Sequence, residues 1–164
     1  MRNLTKVSDA VIRNEYIRRF TLKSGDKINR SEDVIQHLRS YITDPLREHF
    51  IVVFLSTSNC HIATETLFSG TLSSSAVYPR ELVRKVLEHG AAALILAHNH
   101  PSGNPKPSQD DLRITKRIVK VCELIDVAVH DHILLAGEHG VSFADKGLME
   151  GNGELACAGS LFLY

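Results

Sequence analysis

The sequence predicts an α/β protein, a three-layer α/β/α domain with a central mixed sheet, and three observations carry the prediction. Short apolar runs without charge, at residues 50–55 and 91–97, have the length and content of strands buried on both faces. Between them lie longer segments whose apolar residues recur at helical spacing, so strands alternate with covering helices. At 164 residues and 43% hydrophobic content, the chain can bury one sizeable core and is most simply one domain.

In chain order, residues 1–26 read as a polar, basic N-terminal arm, residues 27–149 as the domain and residues 150–164 as a C-terminal tail. A helix is expected over 31–41. Strands over 48–56 and 61–68 follow, the first having β-branched character. Pro79 opens a helix to His89, since proline is tolerated where no helical N–H partner is needed. The apolar run 91–97 is a strand ending where His98 appears. From Ser108 a long helix runs to about Asp126, with Leu112, Ile114, Thr115, Ile118, Val119, Val121 and Cys122 on its apolar face. Two strands, over 127–136 and 140–143, complete the domain. No internal repeat is present. Gly151-x-Gly153-x-x-Ala156 lies in a late loop, away from any strand-to-helix turn, and carries no nucleotide-binding weight.

Residues 98–111, HNHPSGNPKPSQDD, hold the chemistry. His98 and His100 stand two apart on extended backbone, so both imidazoles point to one side at a strand end, where ligands of open α/β sheets collect. Pro101, Gly103, Pro105 and Pro107 stiffen the loop that follows. Taken alone, Ser108-x-x-Asp111 is a helix N-terminus, with serine as N-cap and acids facing the positive end of the dipole. Placed after His-x-His-Pro, the same spacing aims Ser108 and Asp111 back at the histidines. Two imidazoles and a carboxylate are three ligands of the kind a catalytic zinc takes, with a fourth position open for water. Hydrolysis is the leading expectation.

His130 and His132 form a second pair within an uninterrupted strand. They are expected to share one face, with Asp131 on the other, and to lack a loop that could complete coordination. Their expected place is the core, or hydrogen-bonding support behind a ligand. His37, His49, His61, His89 and His139 show no ligand spacing.

The 98–111 string resembles the JAMM (JAB1/MPN) metalloprotease motif in its RadC-like bacterial form. The resemblance extends from Lys27 to Met149, through Phe68-Ser69-Gly70-Thr71-Leu72, Tyr78-Pro79-Arg80-Glu81 and Asp131-His132-Ile133. It implies the JAB1/MPN-like, cytidine-deaminase-like version of the three-layer fold. It implies Zn2+ held by His98, His100 and Asp111, and Ser108 donating to the oxyanion of a tetrahedral intermediate. It also implies a glutamate at the start of the first core strand to take the proton of the zinc-activated water, and Glu48 is the residue expected in that role, with a solvated acid at a strand end as the alternative. N-cap and oxyanion donor compete for the one hydroxyl of Ser108. The substrates so implied are peptides, isopeptides or proteins, and the reaction is hydrolysis of an amide bond by a metallopeptidase. The alternative is a DNA-repair-associated binding module with a structural or vestigial metal. A zinc deaminase would need His-x-Glu and Pro-Cys-x-x-Cys, and neither string is present.

Composition narrows the context. Cys60, Cys122 and Cys157 are odd in number and widely spaced, which argues against a disulfide framework and suits a reducing cytoplasm. No apolar run spans a bilayer, and the N-terminus lacks a signal-peptide core. Net charge is zero, with nine Lys/Arg against five Asp/Glu in residues 1–40 and ten against fourteen in residues 41–164. Such a chain lacks the global field that drives nonspecific DNA affinity. The basic arm (Arg13, Arg18, Arg19, Lys23, Lys27, Arg30) could contact phosphates or form an ordinary solvated face. The helix-hairpin-helix segment of longer RadC relatives is not found in this sequence.

Overall fold

Apolar residues alternate across the two central strands and are buried on both sides, and this sets the layers. In the computed structural model, which describes residues 7–70 and 77–149, the order is α1 (Asp9–Phe20), α2 (Ser31–Tyr41), β1 (His49–Leu55), β2 (His61–Ser69), α3 (Pro79–His89), β3 (Ala93–Asn99), α4 (Gln109–Glu123), β4 (Ala128–Ala136) and β5 (His139–Ser142). The five strands form one mixed sheet in the order β2-β1-β3-β4-β5. Only β3 and β4 run parallel among these neighbours, and α4 makes the crossover that parallel pairing requires.

On one face, Phe50, Val52, Phe54, Leu94 and Leu96 pack under α3 and α4, which contribute Leu82, Val86, Ile114, Ile118 and Cys122. On the other, Ile51, Val53, Leu55, Ile95 and Ala97 meet Val34 and Leu38 of α2. Each fully buried Leu, Ile, Val or Phe contributes roughly 1.5–3 kcal/mol of transfer free energy. The three-layer α/β/α arrangement is the one expected.

Four local expectations need correction. The polar arm contains a helix, α1, none of whose residues is buried. It is held by Glu15, which accepts from Arg18 and Arg19, by a hydrogen bond between Tyr16 and Gln36 of α2, and by Arg13 donating to the Ile42 carbonyl. Its cations are therefore partly neutralised within the helix. The strand expected to stop at residue 97 continues through His98 and Asn99, because it has ladder partners on both sides: His98 pairs with Phe50 of β1 and Leu134 of β4. Finally, β4 is not regular. Leu94 pairs with Val129 but Ile95 pairs with Asp131, so a bulge at His130 shifts the alternation by one. His130 and His132 consequently do not act as a pair. His130 Nε2 bonds Asn59 Oδ1 in the β1–β2 turn at 2.9 Å, while His132 enters the site described below. The last helix also stops earlier than residue 126, with Asp126 in the left-handed region. Thr71, Leu72, Cys157 and the tail 150–164 lie outside the described residues.

Candidate metal centre

The site forms where β3 ends beside the start of α4. His98 is the penultimate residue of β3 and is fully buried, and Asp111 is buried in the first turn of α4. His100 follows the strand, its N–H still bonded to the Leu135 carbonyl at 2.8 Å. The chain then turns through Pro101, and Gly103 N–H closes back onto the His100 carbonyl at 3.0 Å. Proline suits the second position of such a turn, and Gly103, at φ +74°, takes a conformation that a side chain would strain.

Helix α4 opens with a capping box. Asp111 N–H donates to Ser108 Oγ at 3.1 Å, and Ser108 N–H donates to Asp111 Oδ2 at 2.7 Å. The helix-start reading of Ser108-x-x-Asp111 and its aim at the histidines are therefore both present. The cap uses an acceptor lone pair of Ser108 and fixes its rotamer at the edge of the cleft.

Four lone-pair atoms converge. His98 Nε2 lies 3.2 Å from His100 Nε2 and 3.3 Å from Asp111 Oδ1, and His100 Nε2 lies 3.3 Å from Asp111 Oδ2. A tetrahedral site with bonds of about 2.0–2.1 Å has ligand-to-ligand edges of about 3.3 Å, so this trio could hold a metal ion. Its tautomers suit that use. His100 Nδ1 is 2.8 Å from the Asn104 carbonyl, which can only accept, so in the neutral ring Nδ1 carries the proton and Nε2 is bare. Burial works against ionising Asp111, yet the imidazoles of His100 and His98, when they carry a proton on Nε2, donate to its carboxyl and hold it well below the usual carboxylate range. The hydrogen bond to Asp111 in turn raises the His100 imidazole, against the opposing effect of burial. Electrostatically the position calls for a cation.

Among the described residues, the trio is open on its His100 side. There an open cleft of about 480 Å³ is bordered by Leu46, Glu48, Gly70, His100, Lys106 and Ser108. Glu48 immediately precedes β1, and its charge is felt at His100. The structure thus brings all five residues of the expected site, Glu48, His98, His100, Ser108 and Asp111, around one cleft and its buried floor.

Two residues in the site escaped the sequence-based expectations. Asn99 is buried on the opposite side of β3 from His98; its Oδ1 accepts from His49 N–H at 2.9 Å and its Nδ2 donates to the Arg47 carbonyl at 2.8 Å. It thereby ties the backbone on both sides of Glu48 to the strand that carries the histidines. Thr115, counted with the apolar face of α4, is fully buried and hydrogen-bonded to Asp111 and His132. A polar residue on a buried helix face was the available signal for Thr115; for Asn99 it was an amide at a strand end between two histidines. Of the described cysteines, Cys60 and Cys122 are free thiols. Burial raises the Cys122 thiol to about 11, which makes it inert.

An α/β/α sandwich with a His-x-His pair at the end of a central strand and an aspartate in the first turn of the next helix defines a JAB-type domain with a potential metal site. The chain belongs to the RadC-like JAB domain family, whose model matches residues 28–148. It is 46% identical over 127 residues to a UPF0758 protein of Vibrio parahaemolyticus and 47% identical over 127 residues to one of Photobacterium profundum, in each case 77% of this chain and 57% of the relative. A UPF0758 protein of Thiobacillus denitrificans is 45% identical over 126 residues, 77% of this chain and 56% of the relative. The matches thus span little more than half the length of these relatives. Among the described residues, no helix is long and apolar enough to cross a membrane.

Proposed function

We propose that this chain is a zinc-dependent hydrolase of the metallopeptidase or isopeptidase type, cleaving an amide bond of a peptide, an isopeptide or a protein. One observation carries the proposal: the Nε2 atoms of His98 and His100 and the Asp111 carboxylate converge at 3.2–3.3 Å on the floor of a cleft that Glu48 and Ser108 also line. The donor set, two bare imidazole nitrogens and an ionised carboxylate, suits Zn2+ with a position left open. When bound there, zinc supplies Lewis acidity that makes water acidic and polarises a carbonyl.

The chain's own residues do the rest. Glu48 accepts a proton from the attacking water as the new C–O bond forms, then gives a proton to the amide nitrogen as the C–N bond breaks, leaving a carboxylate and an amine. Ser108, its acceptor side engaged by the helix cap, directs its hydroxyl proton to the carbonyl oxygen as negative charge develops there. Asn99 keeps Glu48 in position through the peptide groups on either side of it.

The test begins with metal analysis. Purified protein should carry about one zinc per chain, removable by chelation, and His98→Ala and Asp111→Ala should not carry it. Zinc-loaded protein and a chelated control are then screened against peptide and isopeptide libraries. Glu48→Gln should keep zinc and lose most of the hydrolysis found, since an amide cannot take the proton. Ser108→Ala should keep zinc and lose about 10²–10³-fold at most, the range for one oxyanion donor. Zinc content unaffected by His98→Ala overturns the metal assignment, and a Glu48→Gln protein active at the parent rate overturns the mechanism.

A further inference from the structure

Behind the metal-facing side of His98 lies a hydrogen-bonded chain that reaches into α4. His98 Nδ1 is 2.8 Å from His132 Nε2, His132 Nδ1 is 2.6 Å from Thr115 Oγ1, and Thr115 Oγ1 is 2.6 Å from the Asp111 carbonyl oxygen. His98, His132 and Thr115 are fully buried, with relative exposures of 0%. Phe143 packs on the His132 ring at 4.5 Å between centroids, and Phe50 meets it edge-on at 5.7 Å.

The direction of each bond follows from one end. A carbonyl oxygen can only accept, so the Thr115 hydroxyl spends its single proton on Asp111. Its oxygen must then accept from His132 Nδ1–H. With its one proton on Nδ1, the neutral His132 ring, packed against Phe143 and Phe50, presents a bare Nε2 that accepts from His98 Nδ1–H. His98 is thereby left with its Nε2 lone pair pointing at His100 and Asp111, the only tautomer that can bind a metal there.

We infer that His132 and Thr115 are positioning residues that set the tautomer and ring orientation of His98 from the first turns of the same helix that carries Asp111. The relay thus couples two of the three metal-facing residues: the carbonyl of Asp111 fixes Thr115, and Thr115, through His132, fixes His98. The inference rests on the zinc-site reading above, and its test separates the two. Thr115→Val has nearly the shape of threonine but cannot accept from His132, whereas Thr115→Ser restores the hydroxyl.

Zinc affinity of the full chain is measured by competition with a chromophoric chelator, alongside circular dichroism to verify the fold. Loss of such a supporting hydrogen bond weakens metal binding by about 10–100-fold, so Thr115→Val should raise the zinc Kd by at least tenfold and Thr115→Ser should bring it back toward the parent value. Nitrogen-15 spectra of the metal-free protein labelled at histidine provide a second readout. His132 should be in the Nδ1–H form in the parent and in Thr115→Ser, and should lose that preference in Thr115→Val. A parent protein that binds zinc with a Kd unchanged by Thr115→Val, or a His132 protonated on Nε2, overturns the relay alone. A parent protein that takes up no zinc overturns the metal reading and the relay with it.

Discussion

Replacing Asn99 by alanine should destabilise the protein substantially without emptying the metal centre. The side chain is buried and makes two short hydrogen bonds, from His49 N–H at 2.9 Å and to the Arg47 carbonyl at 2.8 Å, with a longer one to the Pro45 carbonyl at 3.5 Å. A net value of about 1 kcal/mol for each of the two good bonds, with about 1–3 kcal/mol for backbone groups left unpaired, gives roughly 3–5 kcal/mol. Against a stability of about 5–15 kcal/mol this is a large fraction. At about 1–3 kcal/mol per molar for a small protein, the urea midpoint should fall by at least about 1 M. Asn99→Asp should recover only part of this, because it keeps an acceptor for His49 but opposes a lone pair to the Arg47 carbonyl. Zinc content should stay near one per chain, since Asn99 faces away from His98, while turnover of any substrate found should fall as Glu48 loses its anchor. A midpoint shift below about 0.3 M for Asn99→Ala would refute the reasoning, as would loss of zinc from a folded variant.

Two further outcomes are expected. His37 is buried, accepts from Leu22 N–H at 3.0 Å and contacts Thr64 Oγ1 at 2.8 Å; burial, and secondarily the neighbouring His61, lowers its pKa to about 4. The unfolded chain therefore binds a proton below about pH 6.5 that the folded chain refuses until about pH 4, so stability falls as pH drops through this window, by roughly 3 kcal/mol from His37. His37→Gln should show a shallower decline between pH 7 and 4 in urea titrations, and an unchanged slope would exclude His37 as the source. Phe143 is fully buried against the rings of His98 and His132. Phe143→Ala should lower unfolding free energy by about 3–5 kcal/mol and loosen zinc, with Phe143→Leu intermediate in both; a change under about 1 kcal/mol for the alanine would show that the site does not lean on this ring.

Local signals were the legible ones. The helical period and capping box of α4, the apolar strands β1 and β3, and the spacing of His98, His100 and Asp111 all depend on residues a few positions apart, whose geometry backbone sterics and hydrogen bonding determine directly. Helix α1 was missed for the complementary reason: it buries nothing, and its signals are weak and mostly polar, Ser8 and Asp9 at its start and Glu15 at helical spacing from Arg18 and Arg19. What the sequence by itself determined was the fold class and the set of residues able to meet a metal. The tertiary structure alone decided how those residues are held. Asn99 reaches Arg47 and His49, fifty or so positions away, only because β3 lies antiparallel to β1. His132 reaches His98 and Thr115 only because β4 is parallel to β3 and a bulge at His130 sets its phase. A single inserted residue in a strand sends every later side chain to the other face, and no periodicity in one sequence announces it. Hence the candidate ligands could be read from spacing, while the hydrogen bonds that orient them depend on which strands pair and in what register.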